Sequence, residues 1–529
     1  MPTSGRSRQH TGEPRAGRQT TGRRRVQTKM SDVRSRTYVR PSAVTGTRTA
    51  PVLGLETSGG ATPTGTARHP HFYSGVLTAS QAAAVGLLAV ADVSRTWYRE
   101  EHPGRAVLDP VVTGHDDRLR FEALSPCRGL YARLDILGDG VNGARIHRGS
   151  AHFDVNDTLL HALGRVRSRR PLHLRVGPVL PAARAALDGP NVRKKVPSPQ
   201  LPLRDFAEAQ AVASRLGLRA EVPRLRAQRL VRALARQGDV RLWATTVNGG
   251  LGLSAVPSPS AVPLPDAGRL EVLQRVALHM TSLRLYGPPA AAGHAGAASA
   301  WEAVLPGMRL TLVPLSGVHA SLTADGRTPT APDAESDTHA DTDVHTDTDT
   351  DTDPDAGSDS GSDACTDADA DPEQGRQDAE LLSVLLSWES RIDPAALAEQ
   401  AGLTVARTRT ALALLVDAGR CGYDAAEAAY FHRELPFHLR EPEPRHPRLV
   451  DARALVEAGA VTLNRRSGTA TVASSGTVHH IRELHGRRTC TCLWWSRHQG
   501  VRGPCEHGLA AVAALRNGPS RSRPAARRT

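Results

Sequence analysis

Residues 490–507 read CTCLWWSRHQGVRGPCEH and hold three of the six cysteines of the chain. Cys490 and Cys492 are one residue apart, and twelve residues later Cys505 stands one residue before His507. Side chains at i and i+2 of a strand share a face, so a strand end would present two thiolates together. An apolar helix is predicted over 507–516 (HGLAAVAALR), which places the other two side chains around its start. Three thiolates and one imidazole predict a tetrahedral Zn²⁺ site, and four protein ligands make it structural, because no position is left for a catalytic water.

Other interpretations of these cysteines are weaker. Free cysteines often pack as small apolar groups, and neighbouring thiols can form a redox pair. A disulfide between residues i and i+2 is strained, however, and a reducing compartment disfavours it. Four other histidines are alternative ligands, but their spacing is irregular: His479, His480, His485 and His498. We therefore expect one Zn²⁺ per chain, bound by Cys490, Cys492, Cys505 and His507.

The CxCx(12)CxH pattern resembles the SWIM zinc finger, whose loop between the two ligand pairs varies in length. The flanks are also similar, since a β-rich stretch over 460–489 precedes the first cysteine and a short helix follows the histidine. The layout of the whole chain resembles bacterial SWIM zinc-finger family proteins from high-GC genomes, which have no assigned activity. The resemblance implies zinc binding together with contact to DNA or protein, and it does not imply a reaction.

Trp494 and Trp495 lie in the loop between the ligand pairs. Their rings could stack on unpaired bases or anchor a protein interface. They could equally pack over the zinc site and shield its thiolates. We expect one of the two rings to be buried and the other to be exposed.

Upstream, residues 378–440 have the pattern of a small helical module. One amphipathic helix is predicted over 378–389, a second over 394–400 capped by Asp393, and a third from Thr404 to about residue 418. The stretch LAEQAGLTVARTRTALALLVDAGR resembles the helix-turn-helix of winged-helix regulators, and 421–435 supplies candidate wing strands. The resemblance implies a winged-helix-like module.

In winged-helix regulators the third helix enters the major groove. Its exposed candidates here are Thr404, Arg407, Thr408 and Arg409, and the two arginines could reach guanine edges or phosphates. Winged helices also dock onto proteins, and two arginines make a small recognition face. Contact with DNA and contact with another protein therefore both stay open.

Residues 51–325 have the mixed signals of an α+β globular region with no assigned role. No GxSxG, HExxH or SxxK motif occurs, and Leu55–Gly65 lacks the GK[ST] ending of a phosphate-binding loop, so we expect no enzyme and no small-molecule substrate. His69 and His71 suit a ligand site or a simple turn, and Cys127 suits a buried apolar group. The predicted elements are strands at 118–124, 131–137, 171–176, 241–247 and 308–314, and helices at 78–99 (capped by Thr78), 203–216, 223–236 and 267–283.

The chain is basic, with 67 Lys and Arg against 54 Asp and Glu and a net charge of +13. All but three of the basic residues are arginine, a skew that GC-rich coding also produces. Between 331 and 380 there are eighteen acidic residues and one basic residue, Arg376. This asymmetry indicates a nucleic-acid partner, an acidic protein partner, or masking of a basic surface by the acidic segment.

Low-complexity segments flank the folded parts. Residues 1–50 hold twelve basic and two acidic residues and are expected to be a disordered tail, with Met30 as an alternative start. Residues 326–377 are expected to be an extended acidic linker, because their DxDxD repeats lack the glycine and the bidentate glutamate of a Ca²⁺ loop. Residues 455–518 then form the finger, and 519–529 a basic tail.

The sequence excludes several classes of protein. The longest apolar run covers 82–91, well short of the about 18 residues that a membrane helix needs. The arginine-rich N-terminus has no apolar segment behind it, so it is not a secretory signal, and we expect a cytoplasmic protein with reduced thiols. The prediction is a multidomain α+β protein that binds zinc and acts as a nucleic-acid-binding or adaptor protein. The alternative is a protein–protein interaction module of a larger assembly without DNA contact.

Overall fold

The structure is a computed structural model. It describes sixteen segments of the chain: 35–47, 50–98, 107–143, 145–167, 171–178, 192–195, 200–234, 242–247, 250–258, 261–264, 266–289, 298–315, 371–437, 446–464, 466–484 and 487–517. The predicted acidic linker before residue 371 and the C-terminal basic tail lie outside the described residues.

The N-terminal region, residues 35–315, is rich in strands. Its strands are β1 Ser35–Tyr38, β2 Ala43–Gly46, β3 Pro51–Leu55, β4 Thr57–Thr62, β5 Gly65–Ala67, β6 Tyr73–Leu77, β7 Val111–Gly114, β8 Arg118–Leu124, β9 Leu130–Leu137, β10 Val141–Gly143, β11 Gly149–Phe153, β12 Leu172–Val176, β13 Val192–Lys195, β14 Gly217–Pro223, β15 Leu242–Val247, β16 Gly250–Ser254, β17 Val262–Leu264, β18 Ser282–Gly287, β19 Ala300–Leu305 and β20 Met308–Pro314. Its helices are α1 Ser80–Arg95, α2 Asp157–Leu163, α3 Gln200–Ala213, α4 Arg224–Leu234 and α5 Leu273–Val276, with 3-10 turns at Gly138–Gly140 and Ala267–Val272.

A ten-stranded antiparallel sheet organises this region, in the order β14-β18-β19-β20-β9-β8-β7-β11-β4-β5. A five-stranded sheet, β10-β6-β12-β3-β2, contains one parallel pair, β12 with β3. The apolar helix α1 packs on β8 and β9 at the centre of the large sheet. Gly86 of α1 lies directly over Leu134, so the helix approaches the strand closely. Both faces of these central strands are buried, although charged residues alternate with apolar ones along β8 and β9, so several of their charges lie in the interior.

The helical module, residues 371–437, follows. It contains α6 Pro372–Leu385, α7 Pro394–Ala401, α8 Val405–Asp417 and the hairpin of β21 Cys421–Asp424 and β22 Ala429–His432. Asp393 accepts hydrogen bonds from the backbone N–H groups of Ala395 and Ala396, and Thr404 accepts one from Arg407, so both predicted caps are confirmed. Gly419, at φ +71°, follows the end of α8.

The C-terminal module, residues 446–517, pairs a sheet with three helices. The sheet runs in the order β23 Val461–Asn464, β24 Thr469–Ser474, β25 Thr477–Leu484 and β26 Arg487–Cys490. The helices are α9 Pro447–Glu457, α10 Leu493–His498 and α11 Glu506–Asn517. Because α11 packs on α9, on the sheet and on α6, it joins this module to the helical module.

Buried charges join the helical module to the large sheet. Asp424, at the end of β21, lies 3.1 Å from Arg120, 2.9 Å from Arg133 and 2.9 Å from Arg309, which belong to β8, β9 and β20. Burial alone would raise the pKa of Asp424, but these guanidinium groups lower it far below the ordinary range. Arg120 also lies 4.0 Å from the ring centroid of Phe431 on β22. Buried ion pairs therefore hold the β21–β22 hairpin against the ten-stranded sheet.

Lys194 of β13 makes a second set of charged contacts, close to the N-terminal strand β1. Its ammonium lies 2.7 Å from Asp109 Oδ1, 2.6 Å from Asp154 Oδ1 and 3.0 Å from the Val155 carbonyl oxygen. Asp109 also accepts a 2.7 Å hydrogen bond from the Tyr38 hydroxyl. These contacts hold β1 and β13 against the body of the N-terminal region.

Several predicted elements need correction. The expected disorder of residues 1–50 is wrong for the described part, because β1 and β2 form there and Tyr38 is buried; residues 1–34 lie outside the described residues. Thr78 does not cap α1; its hydroxyl donates to the Asp139 carbonyl instead. The predicted helix at 267–283 is a 3-10 turn and the short α5, followed by β18. The helix predicted over 378–389 spans Pro372–Leu385 instead, so the expected extension of the acidic linker to residue 377 is wrong for residues 372–377.

Candidate metal centre

One strand and two helices bring the four predicted ligands together. Cys490 ends β26, and Cys492 precedes α10. Cys505 precedes α11, and His507 lies in the first turn of that helix. The three sulfurs and a ring nitrogen of the histidine all lie within 4.8 Å of one another, and the four residues are buried. The chain therefore builds a compact Cys3His group that could hold one metal ion.

The donor set fits a metal better than a packed core. Neither buried ring nitrogen of His507 has a hydrogen-bond partner among the described residues, although Nδ1 lies 3.3 Å from the Glu506 carboxylate. A buried polar atom without a partner is costly, and a metal bond would satisfy one of these nitrogens. The Cys490 thiol, followed by burial, raises the pKa of Cys505 to about 12. A divalent cation would offset the repulsion between adjacent thiolates.

Helix starts support the two sulfurs that do not sit on a strand. Cys492 Sγ accepts from the Trp495 backbone N–H at 3.5 Å, and Cys505 Sγ accepts from the Gly508 N–H at 3.4 Å. A helix N-terminus favours negative charge, so each of these positions stabilises a thiolate. His479 of β25 lies beside the His507 ring, with centroids 4.1 Å apart. It is a neighbour of the ligand group and not one of the four.

The segment between the ligand pairs, residues 493–504, is called the metal loop below. Arg448 of α9 donates hydrogen bonds to the carbonyl oxygens of Arg502, at 3.0 Å, and Pro504, at 2.6 Å. Its guanidinium carbon lies 5.1 Å from the Trp494 ring centroid. The turn between α7 and α8 meets the loop at Gly402, which faces the backbone of Arg502 and Gly503. The metal loop is therefore packed on both modules.

The burial of the two tryptophan rings differs from the prediction. Trp494 and Trp495 are both half-buried, so the expected pair of one buried and one exposed ring is wrong. The indole N–H of Trp494 donates to the Gly503 carbonyl at 3.3 Å, and its ring packs on His498. Trp495 lines a cleft between the two modules together with Leu385. Both rings contact the protein, and contact with an external partner stays a prediction.

The predicted DNA-reading side chains of α8 are engaged within the chain. Arg407 forms a bidentate pair with Asp378 of α6, at 2.8 Å and 2.7 Å. Thr408 is fully buried, so its predicted exposure is wrong. Arg409 is half-buried, and Thr404 is exposed but serves as the cap. The helix α3 also packs against α8. A DNA phosphate would have to compete with the Asp378 carboxylate for the Arg407 guanidinium.

The other sequence candidates lie apart from the metal centre. His69 donates through Nδ1 to the Thr57 carbonyl at 2.8 Å. Burial lowers the pKa of His71, which neighbours His147 with ring centroids 6.2 Å apart. Cys127 is half-buried and lies 3.3 Å from the Ser125 hydroxyl. Within the described residues, none of these belongs to a group of three or more metal-binding side chains.

Sequence reasoning missed the residues that position the metal loop. Arg448 and Gly503 carry no motif, and their roles depend on contacts between distant segments. A weak signal existed for Gly503, because a glycine before a proline and a ligand cysteine is typical of a tight approach to the site. Nothing comparable marked Arg448 among so many arginines.

Comparisons with known proteins give little beyond this geometry. No protein-family model matches the chain, and no curated protein matches it. Among solved structures, the chain is similar to proliferating cellular nuclear antigen from Entamoeba histolytica, at 7% identity and a TM-score of 0.28 over 46% of this chain and 99% of that one. It is also similar to the PCNA2–PCNA3 complex from Sulfolobus tokodaii, at 8% identity and a TM-score of 0.29 over 46% and 98%. Within the described part of the chain, no helix has the length and apolar character needed to span a bilayer.

Proposed function

We propose that the chain is a SWIM-type zinc-finger protein that acts as a nucleic-acid-binding adaptor. One Zn²⁺ would bind Cys490, Cys492, Cys505 and His507, the buried group that carries the proposal. Bound there, the ion supplies a structural cross-link between β26 and α11. The four protein side chains complete a tetrahedral set, which leaves no coordination position for a substrate.

The nucleic-acid part of the proposal depends on charge. The net charge of +13 favours a polyanionic partner, and phosphate contacts supply most sequence-independent affinity. The acidic stretch 331–380 would compete with phosphate for the basic surface. Such a protein would bring nucleic acid to whatever partner its N-terminal region contacts.

Metal content and DNA titration test the two halves of the proposal separately. The purified full chain should contain one zinc per molecule by elemental analysis. Titration with labelled single- and double-stranded DNA at 50–200 mM salt should give binding that weakens steeply with salt, because each neutralised phosphate releases counterions. A chain with full zinc occupancy that binds neither DNA at 50 mM salt would refute the nucleic-acid half alone.

A second candidate function is protein–protein interaction without DNA contact. The Arg407–Asp378 pair favours it, since this pair removes one of only two arginines from the predicted recognition face. If α8 reads DNA, Arg407→Gln combined with Arg409→Gln should abolish binding. If the chain contacts only proteins, the parent chain and the double variant should both fail to bind DNA at 50 mM salt.

A further inference from the structure

Helix α4 carries an arginine-rich surface that the metal centre does not use. Its sequence, RLRAQRLVRAL, contains four arginines and no acidic residue. Its apolar side packs on the N-terminal region, where β14, β16 and β18 contact the helix. The buried side chains are Ala227, Leu230, Val231 and Leu234.

Three of the arginines are exposed on one face. Arg226, Arg229 and Arg232 recur every third residue, and at 3.6 residues per turn they span an arc of about 120°. We call this surface the arginine face. The fourth arginine, Arg224, is set apart, because it donates to the Leu278 carbonyl at 3.0 Å.

Two of the three charges of the arginine face, those of Arg229 and Arg232, are not balanced by a neighbouring carboxylate within the described residues. Glu221, the acidic residue before the helix, is engaged by Ser282 and Arg284. Like charges three residues apart destabilise a helix by about 0.2–0.5 kcal/mol per pair, so a negative partner would stabilise this surface.

We propose that the arginine face contacts the phosphate backbone of nucleic acid. The inference rests on the proposed nucleic-acid binding and assigns that function to a surface other than α8. Successive arginines of the face are about 4.5 Å apart along the helix axis, so their long side chains can reach neighbouring phosphates. A guanidinium can bind a phosphate through two parallel hydrogen bonds. Such contacts fix position and carry no sequence information.

The packing of α4 argues against a membrane as the partner. A helix that binds a lipid surface inserts its own apolar face into the acyl boundary. In α4 that face is part of the hydrophobic core, and Leu225 is its only large apolar side chain that is exposed. The exposed remainder is charged, which suits a soluble polyanion.

The test compares two double variants of the full zinc-loaded chain. Arg229→Gln with Arg232→Gln removes two charges from the arginine face. Arg145→Gln with Arg453→Gln removes two charges from exposed arginines that already pair with Asp116 and Glu457. Both are titrated with a 20-base-pair duplex and with single-stranded DNA between 50 and 200 mM salt, and both are checked for an unchanged melting temperature.

The first variant should lower the slope of log K against log salt by about 2 and weaken binding about tenfold at 100 mM salt, while the control changes neither. If the parent chain binds DNA and the first variant binds it equally well, the inference fails while the proposed function stands. If the parent chain binds no nucleic acid at 50 mM salt, both fail. Arginine-face-dependent binding to polyglutamate or phosphatidylserine vesicles, without binding to nucleic acid, would overturn the assigned partner.

Discussion

Gly402 and Gly503 lie with their backbones against each other, one in the turn between α7 and α8 and the other in the metal loop. Both have positive φ, +69° and +77°. A Cβ at Gly402 would overlap the backbone of Arg502 and Gly503, and a Cβ at Gly503 would overlap the Ala401 carbonyl. The helical module and the C-terminal module therefore meet at a contact that tolerates no side chain on either partner.

We predict that Gly402→Ala or Gly503→Ala loosens this contact. The left-handed backbone costs about 1 kcal/mol for a non-glycine residue, and overlap with backbone atoms adds about 1–3 kcal/mol, because neither segment can move independently. The midpoint of urea unfolding should fall, and limited proteolysis should cut first in the metal loop.

Gly468 provides the matched control for the glycine variants. It has nearly the same backbone angle, φ +65°, but a Cβ there would meet no atom within 4 Å. Gly468→Ala should therefore cost only about 1 kcal/mol. Equal losses at Gly402 and Gly468 would contradict the close contact.

Metal loss should unfold the C-terminal module selectively. Cys505→Ser should reduce the metal content from one ion per chain to none, because it removes a buried ligand and zinc binding is coupled to the folding of small metal modules. Proteolysis should then cut within 446–517 and spare the N-terminal region. Cys127→Ser, which changes a half-buried thiol outside the site, should keep one ion per chain.

Asp424→Asn should be among the most destabilising single changes in the chain. The amide keeps the shape of the side chain but leaves Arg120, Arg133 and Arg309 with too little negative charge in a dry interface. Breaking a buried charge pair in this way costs about 3–5 kcal/mol. Denaturant unfolding followed by circular dichroism measures the loss.

The exposed pairs of Asp116 give the control for that change. Asp116→Asn removes a carboxylate that binds Arg145 and Arg148 at the surface, and should cost less than about 1 kcal/mol. A similar loss of unfolding free energy in Asp424→Asn and Asp116→Asn would mean that buried ion pairs do not hold the β21–β22 hairpin on the sheet.

Acid should destabilise the fold through His115. This residue is buried, and its Nε2–H donates to the His432 carbonyl at 2.8 Å. Its Nδ1 has no hydrogen-bond partner in the part of the chain that the structure describes. Burial, with a smaller contribution from Arg120, lowers its pKa to about 3. In the unfolded chain this histidine binds its proton near pH 6.5. The stabilisation from the neutral imidazole is therefore fully present above that pH and is lost as the pH falls towards 3. The free energy of unfolding should have dropped by about 3 kcal/mol at pH 4.5.

Replacing the imidazole isolates this effect. His115→Gln can still donate to the His432 carbonyl but does not titrate, so its unfolding free energy should fall less between pH 7 and 4.5 than that of the parent chain. His161→Gln, on the exposed side of α2, should leave the pH dependence unchanged. An unaltered acid slope in His115→Gln would rule out this histidine as the cause.

Local patterns in the sequence predicted local structure well. The spacing of the cysteines predicted the ligand group, and Asp393 and Thr404 predicted two helix starts, because a cap depends on neighbours within three residues. Strands β8 and β20 were predicted over the correct residues because apolar side chains recur at every second position in both, which is the period of a strand.

Long-range contacts explain the failures. The helix predicted over 267–283 runs into residues 282 and 283, which instead begin a strand that pairs with β14 and β19. Residues 35–38 look like part of a disordered tail, yet they pair with residues 192–195. Asp424 pairs with Arg120, 304 residues earlier in the chain, and with Arg309, 115 residues earlier, and no spacing rule can reveal such relationships.

At position 194 an arginine is not an equivalent replacement for the lysine. An ammonium directs three protons from one nitrogen, and here the Asp109 carboxylate and the Val155 carbonyl accept two of them, while the Asp154 carboxylate forms an ion pair at 2.6 Å. A planar guanidinium spreads its donors over a wide fork and could not satisfy the same acceptors. A lysine codon becomes an arginine codon through one nucleotide change. At position 194 that conservative-looking mutation would weaken the contacts that hold the paired strands β1 and β13 against the N-terminal region.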